Sequence, residues 1–118
     1  MKELALIVED DFDLGTIFAE ALKMSGFDTE VITDGQVALN RMEEVVPFVV
    51  ILDLHLPTVS GAEILHYIKH DTRLQDTHVV VATADPRMAD TLRSDATFVL
   101  DKPVSYQQLK LLTTRLRE

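Results

Sequence analysis

The sequence predicts an α/β fold in which a five-stranded parallel sheet is covered by helices on both faces. Three observations carry that prediction. Short apolar runs rich in β-branched residues recur at 4–8, 29–33, 48–52, 78–83 and 97–100, and several are continuous enough to be buried on both faces. The stretches between them place apolar residues at helical spacing. The 118 residues suffice for one domain with a real core but not for two.

Taken in order, Leu4 to Val8 form the first strand. Leu14, Ile17, Phe18, Ala21 and Leu22 then make the apolar stripe of a first helix, which Asp11 or Asp13 caps and Gly26 ends. After the 29–33 strand, Val37, Ala38 and Met42 mark a second helix; after the 48–52 strand, Ser60 opens a third through Ile64, Leu65 and Ile68. The 78–83 strand is followed by Asp85-Pro86 and a stretch that predicts a short or irregular fourth helix. The 97–100 strand leads to a fifth helix over 106–118, opened by Ser105 and carrying Leu109, Leu112 and Leu116 on one face. Strict alternation with right-handed crossovers gives a flavodoxin-like (βα)5 three-layer sandwich of strand order 2-1-3-4-5. One domain is expected over 1–118, without repeat, linker or low-complexity tract.

Composition narrows the function. Eleven Lys and Arg against twenty Asp and Glu leave a formal charge of −9, which repels nucleic acid and anionic membranes and favours cations or basic surfaces. Direct DNA binding by this segment is not expected. The absence of cysteine excludes disulfides, thiolate metal sites and a thiol nucleophile, and fits a reducing compartment. No apolar stretch reaches bilayer length, and Met1-Lys2-Glu3 leads into a strand without a signal-peptide layout. The expectation is a soluble, cytoplasmic protein.

The candidate chemistry lies where apolar runs end: Glu9-Asp10 after the first, Asp53 after the third, Thr83 after the fourth, Lys102-Pro103 after the fifth. Open parallel sheets bind ligands beyond the carboxyl ends of their strands, so these residues would converge. Glu9, Asp10 and Asp11 read either as a solvated helix cap or as part of a site for a hard cation such as Mg²⁺. Asp53 tips the balance, because close acids repel one another and a divalent cation relieves that repulsion. Thr83 alone reads more readily as a plain strand residue, and its position at a carboxyl end makes it a candidate donor to a phosphate oxygen. Lys102 reads as a surface lysine or as an amine held on the rigid corner that Pro103 makes; the isomer of that X-Pro bond is open.

Glu9-Asp10, Asp53 within Asp53-Leu54-His55-Leu56-Pro57 followed by Gly61, Thr83-Ala84 and Lys102-Pro103 resemble, in order and spacing, the receiver domain of two-component response regulators. The resemblance covers nearly the whole chain. It implies that Asp53 accepts a phosphoryl group from a phosphohistidine of a sensor histidine kinase or a histidine phosphotransfer protein. It implies Mg²⁺ held by Asp10, Asp53 and the backbone carbonyl of His55, with Glu9 acting through a bound water, and Thr83 and Lys102 as phosphate contacts. No turnover of a separate substrate is expected, and the output is a fused or separate domain. His55 and Asp85, two residues beyond Asp53 and Thr83, read either as tuners of phosphoryl hydrolysis or as plain loop residues. Homodimerisation through the last helix is left open.

The chain departs from the family pattern at Val99, where a Tyr or Phe usually stands; Phe98 beside it points to the other face by strand alternation. Only 19 positions separate Thr83 from Lys102, about one helical turn fewer than the family pattern. These departures predict that output does not run through the face made by the fourth helix, fifth strand and fifth helix. They also support a rival, a receiver-like interaction module that works without phosphorylation, against which the five intact site residues speak. An aspartyl-nucleophile phosphatase would need an acid where His55 stands, and a flavin site would need a phosphate-cradling loop where Glu9 and Asp10 stand. His66, His70 and His78 read as surface or helix-end histidines, and Met24, Met42 and Met88 as packing residues.

Overall fold

A computed structural model describes residues 2–117. The elements run β1 (Leu4–Val8), α1 (Phe12–Met24), β2 (Asp28–Ile32), α2 (Gly35–Glu44), β3 (Val49–Asp53), α3 (Gly61–Lys69), β4 (His78–Thr83), α4 (Pro86–Leu92), β5 (Phe98–Asp101) and α5 (Tyr106–Leu116). All strand pairs are parallel, in the order β2-β1-β3-β4-β5. The expected architecture is therefore present. One unexpected turn of 3₁₀ helix, Thr72–Leu74, precedes β4.

The period-2 alternation of each strand divides two cores. Leu6, Val8, Val50, Leu52, Val79 and Val81 face α2 and α3, against Ala38, Met42, Ile64, Leu65 and Ile68. Ala5, Ile7, Val49, Ile51 and Val80 face α1 and α5, against Phe18, Leu22, Leu109 and Leu112. Burial on both faces explains why β1 and β3 read as unbroken apolar runs. Val99 packs with the first core and Phe98 with the second, as alternation requires.

The helix ends obey the capping expectations, with one choice resolved. Asp11, not Asp13, caps α1, accepting from the Leu14 N–H at 3.1 Å, and Gly26 takes φ +93° just beyond its end. Ser60 caps α3 and Ser105 caps α5, the latter in a capping box with Gln108. Three strands, β2, β3 and β5, sit one residue from their expected bounds, within the ordinary fraying of element ends. α5 ends at Leu116, and the Glu118 end of its expected span lies outside the described residues. Met42 is fully buried and Met88 partly so, but Met24 is 67% exposed. It lies on the solvent side of the last turn of α1, so the packing role expected of it is withdrawn.

At the amino-terminal edge of the sheet, side chains stack in a row. The Arg117 guanidinium lies 4.0 Å over the Phe27 ring, Phe27 packs on Phe48 with centroids 5.6 Å apart, and Phe48 packs on His78 at 5.0 Å. Arg117 also pairs with Glu3 at 3.5 Å and donates to the Ser25 carbonyl. This row joins the ends of α1 and α5 to the starts of β2, β3 and β4, through aromatic and cation–π contacts.

Candidate functional site

The opposite, carboxyl edge holds the acids. Glu9 follows β1, Asp10 follows Glu9, and Asp53 is the last residue of β3; β1 and β3 are adjacent. One carboxylate oxygen from each lies within 4.8 Å of the others. Glu9 and Asp53 are 2% and 3% exposed, so their charges are removed from water, whereas Asp10 is exposed. The sheet order thus brings Asp53 to the adjacent pair Glu9 and Asp10, more than forty positions earlier in the sequence.

Lys102 closes the site from β5. Its Nζ donates to both oxygens of Glu9, at 3.0 and 3.2 Å, and lies 3.5 Å from Asp53 Oδ1. The Lys102-Pro103 bond is cis, and the Lys102 N–H donates to the Thr83 carbonyl at 2.9 Å. Thr83 ends β4 and is 1% exposed; its Oγ accepts the Asp85 N–H at 3.0 Å, leaving the hydroxyl proton available for donation. The His55 N–H donates to Asp53 Oδ1 at 3.2 Å, and the His55 side chain is exposed. Asp85 caps α4, accepting from the N–H groups of Arg87 and Met88 at 3.0 and 3.4 Å.

The electrostatics follow from that crowding. Burial pushes the Glu9 carboxyl up from 4.5 to about 7, with the charge of Asp53 adding to the effect and Lys102 opposing it. Burial likewise raises Asp53, against the His55 N–H and Lys102, and the nearby Asp10 raises it further. Burial alone would lower Lys102, but its bond to Glu9 and the charge of Asp53 outweigh that and raise it. One ammonium among three carboxyl groups leaves negative charge uncompensated.

Two oxygens bound to Mg²⁺ at about 2.0–2.1 Å lie no more than about 4.2 Å apart. Small side-chain adjustments bring the three carboxylates into that range, and an all-oxygen donor set with uncompensated negative charge is what a hard cation requires. The residues therefore fit the ion. Among the described residues no other group of three potential ligands is this close. A groove at the far edge, between Lys2 to Leu4 and Val45 to Phe48, includes none of these acids.

The loop carrying the site is fastened by contacts that the sequence did not reveal. Gly61 donates to the Leu54 carbonyl at 3.1 Å, and Gly35 to the Pro57 carbonyl at 3.2 Å. Thr58, at φ +66°, donates its hydroxyl to Asp34 Oδ1 at 3.0 Å and accepts the Gln36 N–H at 3.1 Å. Asp34 also caps α2 through the N–H groups of Gln36 and Val37. A β-branched residue at positive φ is held only where its surroundings demand it; here the demand is the bridge between the β3–α3 loop and the start of α2.

Comparison with known proteins agrees with this geometry. The response regulator receiver domain family matches residues 5–114. The DNA-binding response regulator MtrA of Mycolicibacterium paratuberculosis is 33% identical over 112 residues, which is 92% of this chain and 48% of MtrA; the chain thus spans about half the length of such relatives. Among solved structures, a CheY-like response regulator receiver domain from Methylobacillus flagellatus superposes with a TM-score of 0.87 at 25% identity, covering 98% of this chain and 99% of that one. The BeF3-activated receiver domain of DrrB, a Thermotoga maritima protein, gives 0.85 at 27% identity, covering 99% and 98%. The fold, the acidic edge and a family match over most of the chain coincide: this chain belongs to the response regulator receiver domain family of two-component signalling.

Proposed function

We propose that the chain is a phosphorylation switch, a single receiver domain whose Asp53 accepts a phosphoryl group from a histidine kinase or phosphotransfer protein. The observation that carries this reading is the convergence of three carboxyl groups and one ammonium at the carboxyl edge of a parallel sheet, in a family named for that role. A carboxylate oxygen of Asp53 attacks phosphorus, the P–N bond to the donor imidazole breaks, and the imidazole leaves and takes a proton. No general base is needed, because the attacking carboxylate carries no proton.

The remaining residues position and neutralise, which is most of what phosphoryl transfer asks of a protein. The His55 N–H fixes Asp53 through one oxygen, leaving the other for attack. Lys102 exchanges part of its contact with Glu9 for an oxygen of the new phosphoryl group, and the Thr83 hydroxyl donates its proton to another. Glu9, Asp10 and Asp53, with the His55 carbonyl, are the proposed holders of Mg²⁺, which supplies charge neutralisation for the transferring group when bound. Asp85 is committed to capping α4, so of the two candidate tuners of hydrolysis His55 is the freer. Incubation with acetyl phosphate and Mg²⁺ is expected to add one phosphoryl mass to the intact chain and none to Asp53→Asn. An adduct retained by Asp53→Asn overturns the assignment of the acceptor, and no adduct with any donor favours the phosphorylation-independent module.

The output face is proposed to differ from the family pattern. α4 spans only seven residues with Ala89 as its one buried position, and Val99 offers no aromatic ring to swing between two positions. Amide exchange with and without beryllofluoride, a phosphoryl mimic, is expected to change most in the loops after β3 and β4. Protection changes concentrated on residues 87–93 and on Val99 would refute this. MtrA is named as a DNA-binding regulator; for this chain, with its charge of −9, any such output is assigned to another domain or partner. No helix among the described residues is long and apolar enough to cross a membrane.

A further inference from the structure

Four histidines occur in the chain, and two of them meet. His66 lies in the last turn of α3 and His70 is its C-cap, four positions apart and both exposed. Their rings stack with centroids 3.9 Å apart at an interplanar angle of 28°. His70 Nδ1 lies 2.8 Å from the His66 carbonyl oxygen. A carbonyl oxygen only accepts, so Nδ1 carries the proton and Nε2 of His70 keeps its lone pair for a ligand.

This is the arrangement in which histidine binds metal. A ligating imidazole characteristically donates its other N–H to a carbonyl or carboxylate, which fixes tautomer and ring orientation, and that bond is already made here. Two histidines four apart on one helical face are a recurrent pair of zinc ligands. In the stacked pose the in-plane lone pairs run side by side, so binding one ion requires the exposed His66 ring to swing off the stack, after which two bonds of about 2.0–2.1 Å close on the ion. The location adds attraction, because the end of α3 presents the negative pole of the helix dipole.

We propose that His66 and His70 form a two-imidazole site for a borderline transition cation, Zn²⁺, Ni²⁺ or Cu²⁺, with water completing the coordination. Imidazole nitrogen suits these ions, whereas the all-oxygen set at Glu9, Asp10 and Asp53 suits Mg²⁺. The two sites are separate. α3 begins at Gly61, beside Asp53, and a rise of about 1.5 Å per residue places His66 about 7.5 Å and His70 about 13.5 Å along the helix axis from that start.

The test is titration of the untagged chain with Ni²⁺ in saturating Mg²⁺, read by calorimetry and by paramagnetic broadening of amide resonances. Binding of one equivalent is expected, with broadening centred on residues 66–70. Removing a partner that only supports a ligand costs about 10–100-fold in affinity, so His66→Ala and His70→Ala should each weaken binding at least about tenfold. His78→Ala should leave it unchanged. Broadening centred on His55 and the acidic edge, or unaltered Ni²⁺ affinity in both His66→Ala and His70→Ala, overturns the proposal. Both side chains are exposed, and equal thermal midpoints of metal-free variants and parent establish that the fold is intact.

Discussion

Gly61→Ala is expected to destabilise the chain strongly for a change of a single methyl group. A Cβ at position 61 would stand 2.2 Å from the Asp53 carbonyl oxygen and 2.6 Å from the Leu54 Cα. Both obstacles are backbone, so no side chain can turn aside. α3 would have to move off the end of β3, breaking the Gly61 to Leu54 hydrogen bond and disturbing the buried Ile64 and Leu65 beneath. Overpacking of a close-packed interior costs about 1–3 kcal/mol and more where main chain must shift; we expect about 3 kcal/mol here, a fall in the midpoint of roughly 10 °C for a domain of this size. Thermal unfolding by circular dichroism checks it. A loss under about 1 kcal/mol would mean that α3 and β3 are not pressed together as described. Because the clash falls on Asp53's own carbonyl, the variant should also be phosphorylated more slowly than its remaining folded fraction explains.

The second large effect is an inverted response to pH. A carboxyl group raised on folding from 4.5 to about 7, as burial raises Glu9, binds its proton more tightly in the folded than in the unfolded chain. Between those values the folded state holds more protons, so stability falls as pH rises. A shift of this size corresponds to at most about 3 kcal/mol. Asp53, also raised, adds in the same direction. Glu30 and Asp34 are lowered by their partners, but their contribution is lost only as pH drops below the usual carboxylate range. Lys102, raised from 10.5, acts only in strong alkali. The metal-free chain should therefore melt higher at pH 5.8 than at pH 8, and Mg²⁺ should stabilise it more at pH 8, since cation binding displaces the proton. Glu9→Gln should flatten the metal-free profile and weaken Mg²⁺ binding. A metal-free midpoint that rises from pH 5.8 to 8 in the parent chain would contradict the buried-acid account.

Much of the fold was legible because its signals are local. β1, β3 and β4 are apolar on both faces and flanked by cap residues such as Asp11 and Ser60, so period and punctuation agreed. The site was legible for a different reason: each acid ends an apolar run, and a parallel sheet aligns those ends. What stayed hidden depends on pairs distant in sequence. Nothing local announces that Lys102 rests on Glu9 in preference to Asp53, that Thr58 takes a left-handed conformation to reach Asp34, or that Asp85 spends its carboxylate on α4. Met24 misled because an apolar side chain suggests packing, whereas this one is left exposed on α1.

The stacked row from Arg117 through Phe27 and Phe48 to His78 has a mechanical meaning. It ties three strand starts and two helix ends into one girder, which would resist, at that edge, the shift that the proposed phosphorylation of Asp53 calls for. The fold is braced as a vice with one fixed jaw, and under the proposed function the travel of the other jaw falls to the loops around Asp53.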